Sequence, residues 1–140
     1  MGKLTNQENH VYAGEFFEGI KSGMGTYKWP SGESYSGEWL NNKMHGEGTY
    51  KWPSGDYYQG SFKQGEREGP GRMVYKESGK VLEGNFKNNK LDGWGKMELP
   101  DGSIFEGVFS KGKQNGFGSL YLANGEIVNG NWVDGMIQDV

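Results

Sequence analysis

The stretch GEGTYKWPSGDYYQG, residues Gly46–Gly60, places four glycines and four large aromatic residues in fifteen positions. Aromatic residues favour β-strands whereas glycine weakens them, so the mixture needs an explanation. A near copy, GMGTYKWPSGESYSG, occupies Gly23–Gly37 and is identical to it at eleven of the fifteen positions. The mixture is therefore part of a repeating structural unit.

The repeat has a nearly constant length. A large residue followed two positions later by glycine recurs at intervals of 23, 23, 24, 23 and 23 residues, at Tyr12, Tyr35, Tyr58, Leu82, Phe105 and Val128. A Gly-x-Gly triplet and a turn glycine follow each of the first five. This pattern predicts five full units and a sixth half-unit. The one extra residue falls in YKESG, residues 75–79, where we predict a longer turn.

Within a unit the pattern has a period of two, which indicates β-strands. Glycines on the same face as the aromatic residues leave bare backbone on which the rings can lie. The residues predicted to share one face of a unit are Tyr35, Gly37, Trp39, Gly46, Gly48, Tyr50 and Trp52.

The predicted fold is all-β, an elongated single-layer antiparallel meander of β-hairpin repeats with about eleven short strands. We place the repeat array at residues 10–135. An N-terminal tail, residues 1–9, and a C-terminal tail, residues 136–140, flank it.

Composition narrows the classes of function. The 140 residues suit one domain, and the net charge of −3 without any polybasic block argues against nucleic acid as a partner. The absence of cysteine excludes disulfides and thiolate metal sites. No apolar run approaches the length of a membrane-spanning helix.

Catalytic residues are not expected in this chain. Its two histidines are His10 and His45, and we expect a structural role for His45. The carboxylates that recur on the face away from the rings are those of Glu15, Glu38, Glu83 and Glu106. A solvated face explains them better than an acid/base pair, because catalysis needs a pocket that excludes water. We therefore expect no enzyme activity, no metal and no cofactor.

A row of aromatic residues on the predicted glycine face is the strongest candidate binding site. The rings could simply pack on the glycines and on each other. An uncovered apolar strip of this length also suggests a partner site, with an amphipathic helix or an extended peptide as its ligand. The row consists of Tyr12, Phe16, Tyr27, Trp29, Tyr35, Trp39, Tyr50, Trp52, Tyr58 and Phe62.

A secondary patch is predicted on the opposite face. Trp94 and Phe117 occupy the middle of successive Gly-x-Gly triplets, so we expect their rings to stack as neighbours. They could provide local cover for the sheet or a second contact with a partner.

The segment YSGEWLNNKMHGEGTYKWPSGDYYQGSF, residues 35–62, resembles the MORN (membrane occupation and recognition nexus) repeat. The resemblance extends over residues 12–135. Later units depart from the pattern, for example at Leu82, Leu99 and Leu122, so we do not expect a ligand that needs an aromatic row to bind beyond about residue 75. The positions that match in order are Tyr35, Gly37, Glu38, Trp39, Lys43, His45, Gly46, Gly48, Tyr50, Ser54 and Gly55.

The resemblance implies a non-enzymatic scaffold. MORN proteins bind phospholipids, act as interaction modules in cilia and the cytoskeleton, or are appended to enzymes. We expect a cytoplasmic chain that docks a protein partner within a ciliary axoneme or another cytoskeletal assembly. One alternative is a phospholipid-binding membrane tether, with Lys87, Lys90 and Lys96 as head-group contacts. Another is a regulatory appendage of an enzyme in trans.

Overall fold

The computed structural model describes residues 2–5 and 9–138, which form one open antiparallel sheet with each strand paired to the next in sequence. The thirteen strands of these residues are β1 Gly2–Thr5, β2 Val11–Phe17, β3 Ile20–Lys28, β4 Ser34–Leu40, β5 Lys43–Lys51, β6 Tyr57–Lys63, β7 Glu66–Val74, β8 Val81–Lys87, β9 Lys90–Glu98, β10 Ile104–Ser110, β11 Lys113–Tyr121, β12 Ile127–Val133 and β13 Met136–Ile137. The predicted all-β meander of hairpin repeats is confirmed.

Two strands extend the sheet beyond the eleven or so that were predicted. Strand β1 lies in the segment assigned to the N-terminal tail and pairs with β2, with Gly2 opposite Gly14. Strand β13 lies in the segment assigned to the C-terminal tail and pairs with β12 through Trp132 and Val133. The sheet thus includes parts of both predicted tails.

A single row of paired glycines crosses the sheet from β1 to β12. Gly48, for example, lies opposite Gly37 on one side and opposite Gly60 on the other. Because these residues have no side chains, they leave a strip of bare backbone across the strands on which other side chains can pack. The row consists of Gly2, Gly14, Gly25, Gly37, Gly48, Gly60, Gly71, Gly84, Gly95, Gly107, Gly118 and Gly130.

Buried tyrosine rings lie on this glycine row in the first three units. A Cβ atom added to Gly48 would lie 2.5 Å from Cε1 of Tyr35, so the ring occupies the space that the glycine leaves. Tyr35 is 0% exposed as a result. The prediction that glycine serves as a floor for aromatic rings is confirmed at this position.

Each buried tyrosine is fixed at its hydroxyl as well as at its ring. The Tyr35 hydroxyl donates a hydrogen bond to the carbonyl of Glu38 at 2.8 Å, where the pairing of β4 with β5 shifts register. Burial raises the pKa of Tyr35, and it raises the pKa of Tyr58 to about 12. The equivalent bonds in the neighbouring units join Tyr12 to the Glu15 carbonyl at 2.8 Å and Tyr58 to the Ser61 carbonyl at 2.9 Å.

Edge-to-face ring contacts join one unit to the next. Trp39 contacts Tyr35 of its own strand at a centroid distance of 5.1 Å and Tyr12 of the preceding unit at 5.5 Å. Phe62 repeats this arrangement with Tyr58 at 5.1 Å and Tyr35 at 5.0 Å. Such perpendicular pairs add stability beyond the burial of their area. A continuous series of ring contacts therefore runs along one face of the sheet from Tyr12 to Phe86.

Later units fill the same space with other residues. Leu82 replaces the leading tyrosine in the fourth unit, and Leu91 of the next strand is buried over the glycines instead. Its Cδ1 and Cδ2 atoms lie 3.1 Å and 3.0 Å from Cβ positions built on Gly84 and Gly95. Phe105 takes the tyrosine position in the fifth unit and is 0% exposed. The fold thus tolerates the departures from the repeat pattern.

Gly46 does not line the aromatic face, contrary to the prediction. Its backbone has a φ of +63°. A Cβ atom added to Gly46 would therefore lie on the side of Glu38, 2.8 Å from the carboxyl carbon of that residue. The Glu38 carboxylate accepts a hydrogen bond from the backbone N–H of Glu47 at 2.5 Å. Glu15 accepts an equivalent bond from Met24 at 2.7 Å. These two exposed carboxylates therefore bind the Gly-x-Gly backbone.

The predicted longer turn is also confirmed. In four of the turns the glycine N–H bonds the carbonyl three residues earlier, as Gly55 does to Trp52 at 3.0 Å. Gly79 instead bonds the carbonyl of Tyr75, four residues earlier, at 2.8 Å. The extra residue is accommodated in this turn, so the register of the following strands is unchanged.

Candidate functional site

The ten residues of the predicted aromatic row lie on one face but differ in exposure. Five of them are buried in the core and are inaccessible to a partner in this structure: Tyr12, Tyr35, Trp39, Tyr58 and Phe62. Four are half-buried and one, Phe16, is 37% exposed. The part of the predicted row that could contact a partner is therefore narrower than the row itself.

The four half-buried residues form a continuous strip, which we call the outer ring row: Tyr27, Trp29, Tyr50 and Trp52. Their successive ring centroids are separated by 4.5 Å, 5.5 Å and 4.8 Å. The two tryptophans precede the glycine turns at the ends of β3 and β5, and the two tyrosines lie near the ends of those strands. The row packs on the buried core beneath it and leaves its outer surface accessible.

A hydrogen bond fixes the centre of the outer ring row. The Tyr50 hydroxyl donates to the carboxylate of Glu33. Burial first, and then the bond to Glu33, raise the pKa of Tyr50. The Tyr50 ring is therefore held in one position between Trp29 and Trp52.

A shallow cavity of about 210 Å³ opens beside the outer ring row. Residues from three successive units form it, and Arg67 is the charged side chain among them. Its lining consists of Met44, Tyr50, Trp52, Phe62, Gly65, Arg67 and Asn89. An apolar wall with one positive charge suits an apolar or acidic side chain of a ligand.

The sequence did not identify Arg67 or Met44 as site residues. The reason is that the equivalent position carries a different residue type in every unit: Lys21, Met44, Arg67, Leu91 and Gln114. A repeat pattern shows which positions stay the same, whereas this position differs from unit to unit. The one available signal was its place two residues before the Gly-x-Gly triplet.

The secondary patch is exposed but its two rings do not stack. Trp94 is 61% and Phe117 is 55% exposed, and no contact joins their rings among the described residues. Trp94 lies on β9 and Phe117 on β11, so β10 lies between them, with Val108 opposite Trp94. Two strand spacings amount to about 10 Å, too far for ring stacking. The prediction of stacked neighbours is wrong for this reason.

The three lysines considered as lipid contacts do not form one cluster. Lys87 and Lys90 lie opposite each other across the β8–β9 hairpin. Lys96 lies six residues further along β9, about 20 Å away. It forms an ion pair with Glu98 at 3.7 Å. The structure therefore does not bring the three lysines together at one place.

The described residues contain no group of three or more His, Cys, Asp or Glu side chains arranged to hold a metal ion. His10 contacts Tyr27 through Nδ1 at 3.0 Å. A helix able to cross a membrane is likewise not found in residues 2–5 and 9–138.

One solved structure to which this chain shows a partial likeness is the TCP domain of SAS-4 (dCPAP) from Drosophila melanogaster, in complex with a proline-rich motif of Ana2 (dSTIL). It has 12% identity and a TM-score of 0.40, and the match covers 93% of this chain and 77% of that one. Curated protein sequences give no significant match.

A family profile matches the sequence in five consecutive segments. The profile describes the MORN repeat, and its matches cover residues 12–34, 35–57, 58–80, 83–104 and 105–127. They coincide with the five full units. Four matches begin at the residue that covers the glycine row, and the fourth match in sequence begins at Glu83, one residue after Leu82. Repeats of this kind are commonly protein- or lipid-interaction modules. The chain belongs to the MORN repeat family.

Proposed function

We propose that the protein is a non-enzymatic scaffold that docks an amphipathic helix or an extended peptide of a partner protein along the outer ring row. The observation that carries this proposal is the unbroken contact of four half-exposed rings, from Tyr27 to Trp52, beside an open cavity. Large, rigid aromatic side chains contribute much contact area for little lost entropy when they bind.

The position of these rings supports a binding role in addition to packing. The buried tyrosines and their perpendicular partners Trp39 and Phe62 belong to the buried core, whereas the outer ring row packs against that core and is only partly buried. The third, fourth and fifth units make the equivalent turns with Tyr75, Leu99 and Leu122. Tryptophan at positions 29 and 52 is therefore not required by the turn itself, and contact with a partner accounts for it.

The family also contains lipid-binding modules, so a membrane tether is the competing function. The net charge of −3 and the separation of Lys96 from Lys87 and Lys90 support the protein-docking proposal over this one. As a location we propose a ciliary axoneme or another cytoskeletal assembly, on the basis of the family resemblance.

Vesicle co-sedimentation at physiological salt separates the two functions. Basic residues near the surface supply about 1 kcal/mol each to the binding of anionic lipid, and of the three lysines considered as lipid contacts two, Lys87 and Lys90, lie together. We expect negligible sedimentation with vesicles that contain phosphatidylserine or phosphoinositides. Strong sedimentation that weakens as the salt concentration is raised would contradict the scaffold proposal and support the membrane tether. The Trp29→Leu/Trp52→Leu variant would then show whether the outer ring row is the lipid contact.

A further inference from the structure

Arg67 is a half-buried cation that forms no ion pair with a carboxylate among the described residues. Its guanidinium lies 5.5 Å from the ring centroid of Trp52 and 5.8 Å from that of Tyr58. Its other polar contacts are long, 3.5 Å from Nε to Oδ1 of Asn89 and 3.7 Å from Nη1 to the sulfur of Met73. A guanidinium has five N–H donors, so most of them remain available to a ligand.

Partial burial makes this cation a stronger attractor of anions than an arginine in open water. Removal from water lowers the pKa of Arg67, which still leaves the group charged at neutral pH. The attraction between opposite charges rises as the surrounding medium becomes less polar. An anion that reaches Arg67 would therefore replace the contacts with water that the guanidinium loses when it is buried between rings.

The cavity beside Arg67 gives such an anion a place to bind. Its walls combine apolar and polar groups, and the guanidinium is the charged group in its lining. Its volume of about 210 Å³ equals that of about seven waters, enough for one acidic side chain. Since Trp52 lines the cavity and belongs to the outer ring row, a segment docked on that row passes over the opening.

Resting on the proposed docking of a polypeptide along the outer ring row, we propose that the cavity beside Arg67 binds the carboxylate of an aspartate or glutamate of the partner. A planar carboxylate matches the planar fork of the guanidinium and carries one negative charge for its one positive charge. The single positive charge of Arg67 would neutralise only one of the two negative charges of a phosphate dianion. The Glu33 carboxylate bound to Tyr50 repels either anion, and it repels a dianion more strongly than a singly charged carboxylate.

A related arrangement of a cation over aromatic rings occurs two units earlier. Lys21 occupies the position equivalent to Arg67, with Nζ 5.5–5.8 Å from the ring centroids of Tyr12, Tyr27 and Trp39. The backbone N–H of Lys21 donates to Oδ1 of Asn42 at 2.9 Å, and that of Arg67 to Oδ1 of Asn89 at 2.8 Å. In both units a cation therefore lies over the rings next to an asparagine of the following loop.

Nuclear magnetic resonance of the full chain labelled with nitrogen-15 arginine tests the proposal directly. The sequence contains two arginines, Arg67 and Arg72, so two side-chain Nε signals are expected. Arg72 is exposed and lies opposite Gln59 and Glu83 in the sheet, which makes it a matched control on the other face. An Arg72→Gln variant assigns the signals without altering the cavity.

The probe is glutamate blocked at both backbone ends, and the glutamine analogue is its uncharged counterpart. We expect a saturable shift of the Arg67 Nε signal, with half-saturation at about 1 mM for a ligand of this size. The glutamine analogue should produce no saturable shift, and neither compound should produce one at Arg72.

Equal responses of Arg67 and Arg72, or no saturable shift at Arg67, would overturn the proposal and leave Arg67 as a cover for the Tyr58 ring. Saturation by inorganic phosphate at a lower concentration than by blocked glutamate would overturn it in favour of a phosphate ligand, such as a lipid head group. The titration contains no partner protein, so its failure would not affect the proposed docking on Trp29 and Trp52.

Discussion

Gly48→Val is expected to destabilise the protein by about 1–3 kcal/mol and to lower its melting temperature by several degrees. A side chain at this position would overlap the ring of Tyr35, which is 0% exposed and held by its hydroxyl bond to Glu38. The ring cannot move aside, because Trp39 and Phe62 contact it at 5.1 Å and 5.0 Å. Thermal unfolding followed by circular dichroism measures the loss.

Glu47→Val is the matched control for this variant, one residue away on the same strand. Glu47 is exposed, and its carboxylate accepts a hydrogen bond from Oγ of Ser61 at 2.9 Å. We expect a change within about 0.5 kcal/mol, as for most surface substitutions. Equal losses of melting temperature in the two variants would mean that the glycine row is not a floor for the tyrosine rings.

Trp29→Leu/Trp52→Leu is expected to abolish capture of the principal protein partner while the variant retains a cooperative thermal transition. Loss of a large aromatic anchor at an interface often costs at least 2 kcal/mol, which corresponds to about a 30-fold weaker complex. Leucine is compatible with the fold here, because Leu99 and Leu122 make the same turn hydrogen bonds in later units. Quantitative pull-down from native cells, with wild type and variant at equal concentration, measures the loss.

The control for this variant is Trp94→Leu on the opposite face. Trp94 is 61% exposed, so its replacement should leave both folding and the partner unaffected. Capture at the wild-type level by Trp29→Leu/Trp52→Leu, together with a loss caused by Trp94→Leu, would place the binding surface on the Trp94 face.

The sequence predicts the fold well because its signals are local. Period-two alternation assigns Tyr35, Gly37 and Gly48 to one face, and the constant repeat length fixes the order of the strands. Strands β1 and β13 could not be predicted in this way. The segments around them carry no Gly-x-Gly triplet, and their pairing depends on the neighbouring strand.

The binding surface is predicted less completely, for a geometric reason. A period of two shows which face of the sheet a ring lies on, but it does not show how deeply the ring is buried on that face. The bond from Tyr35 to the Glu38 carbonyl lays the tyrosine flat over the glycines, and the rings of Trp39 and Phe62 then bury it. Residues that the sequence pattern treats alike therefore differ in the exposed fraction of their side chains on this face. The cavity at Arg67 is formed by three units together, and its only local signal in the sequence is the place of Arg67 two residues before a Gly-x-Gly triplet.

Hydroxyl-radical footprinting of the chain, alone and saturated with its captured partner, tests most directly whether the outer ring row is the docking surface. Mass spectrometry gives the oxidation of each aromatic side chain separately, and both faces carry accessible rings that serve as internal references. The proposed docking predicts that bound partner protects Trp29, Tyr50 and Trp52, while the oxidation of Trp94 and Phe117 stays unchanged. Protection of Trp94 and Phe117 with full oxidation of Trp29 and Trp52 would contradict it.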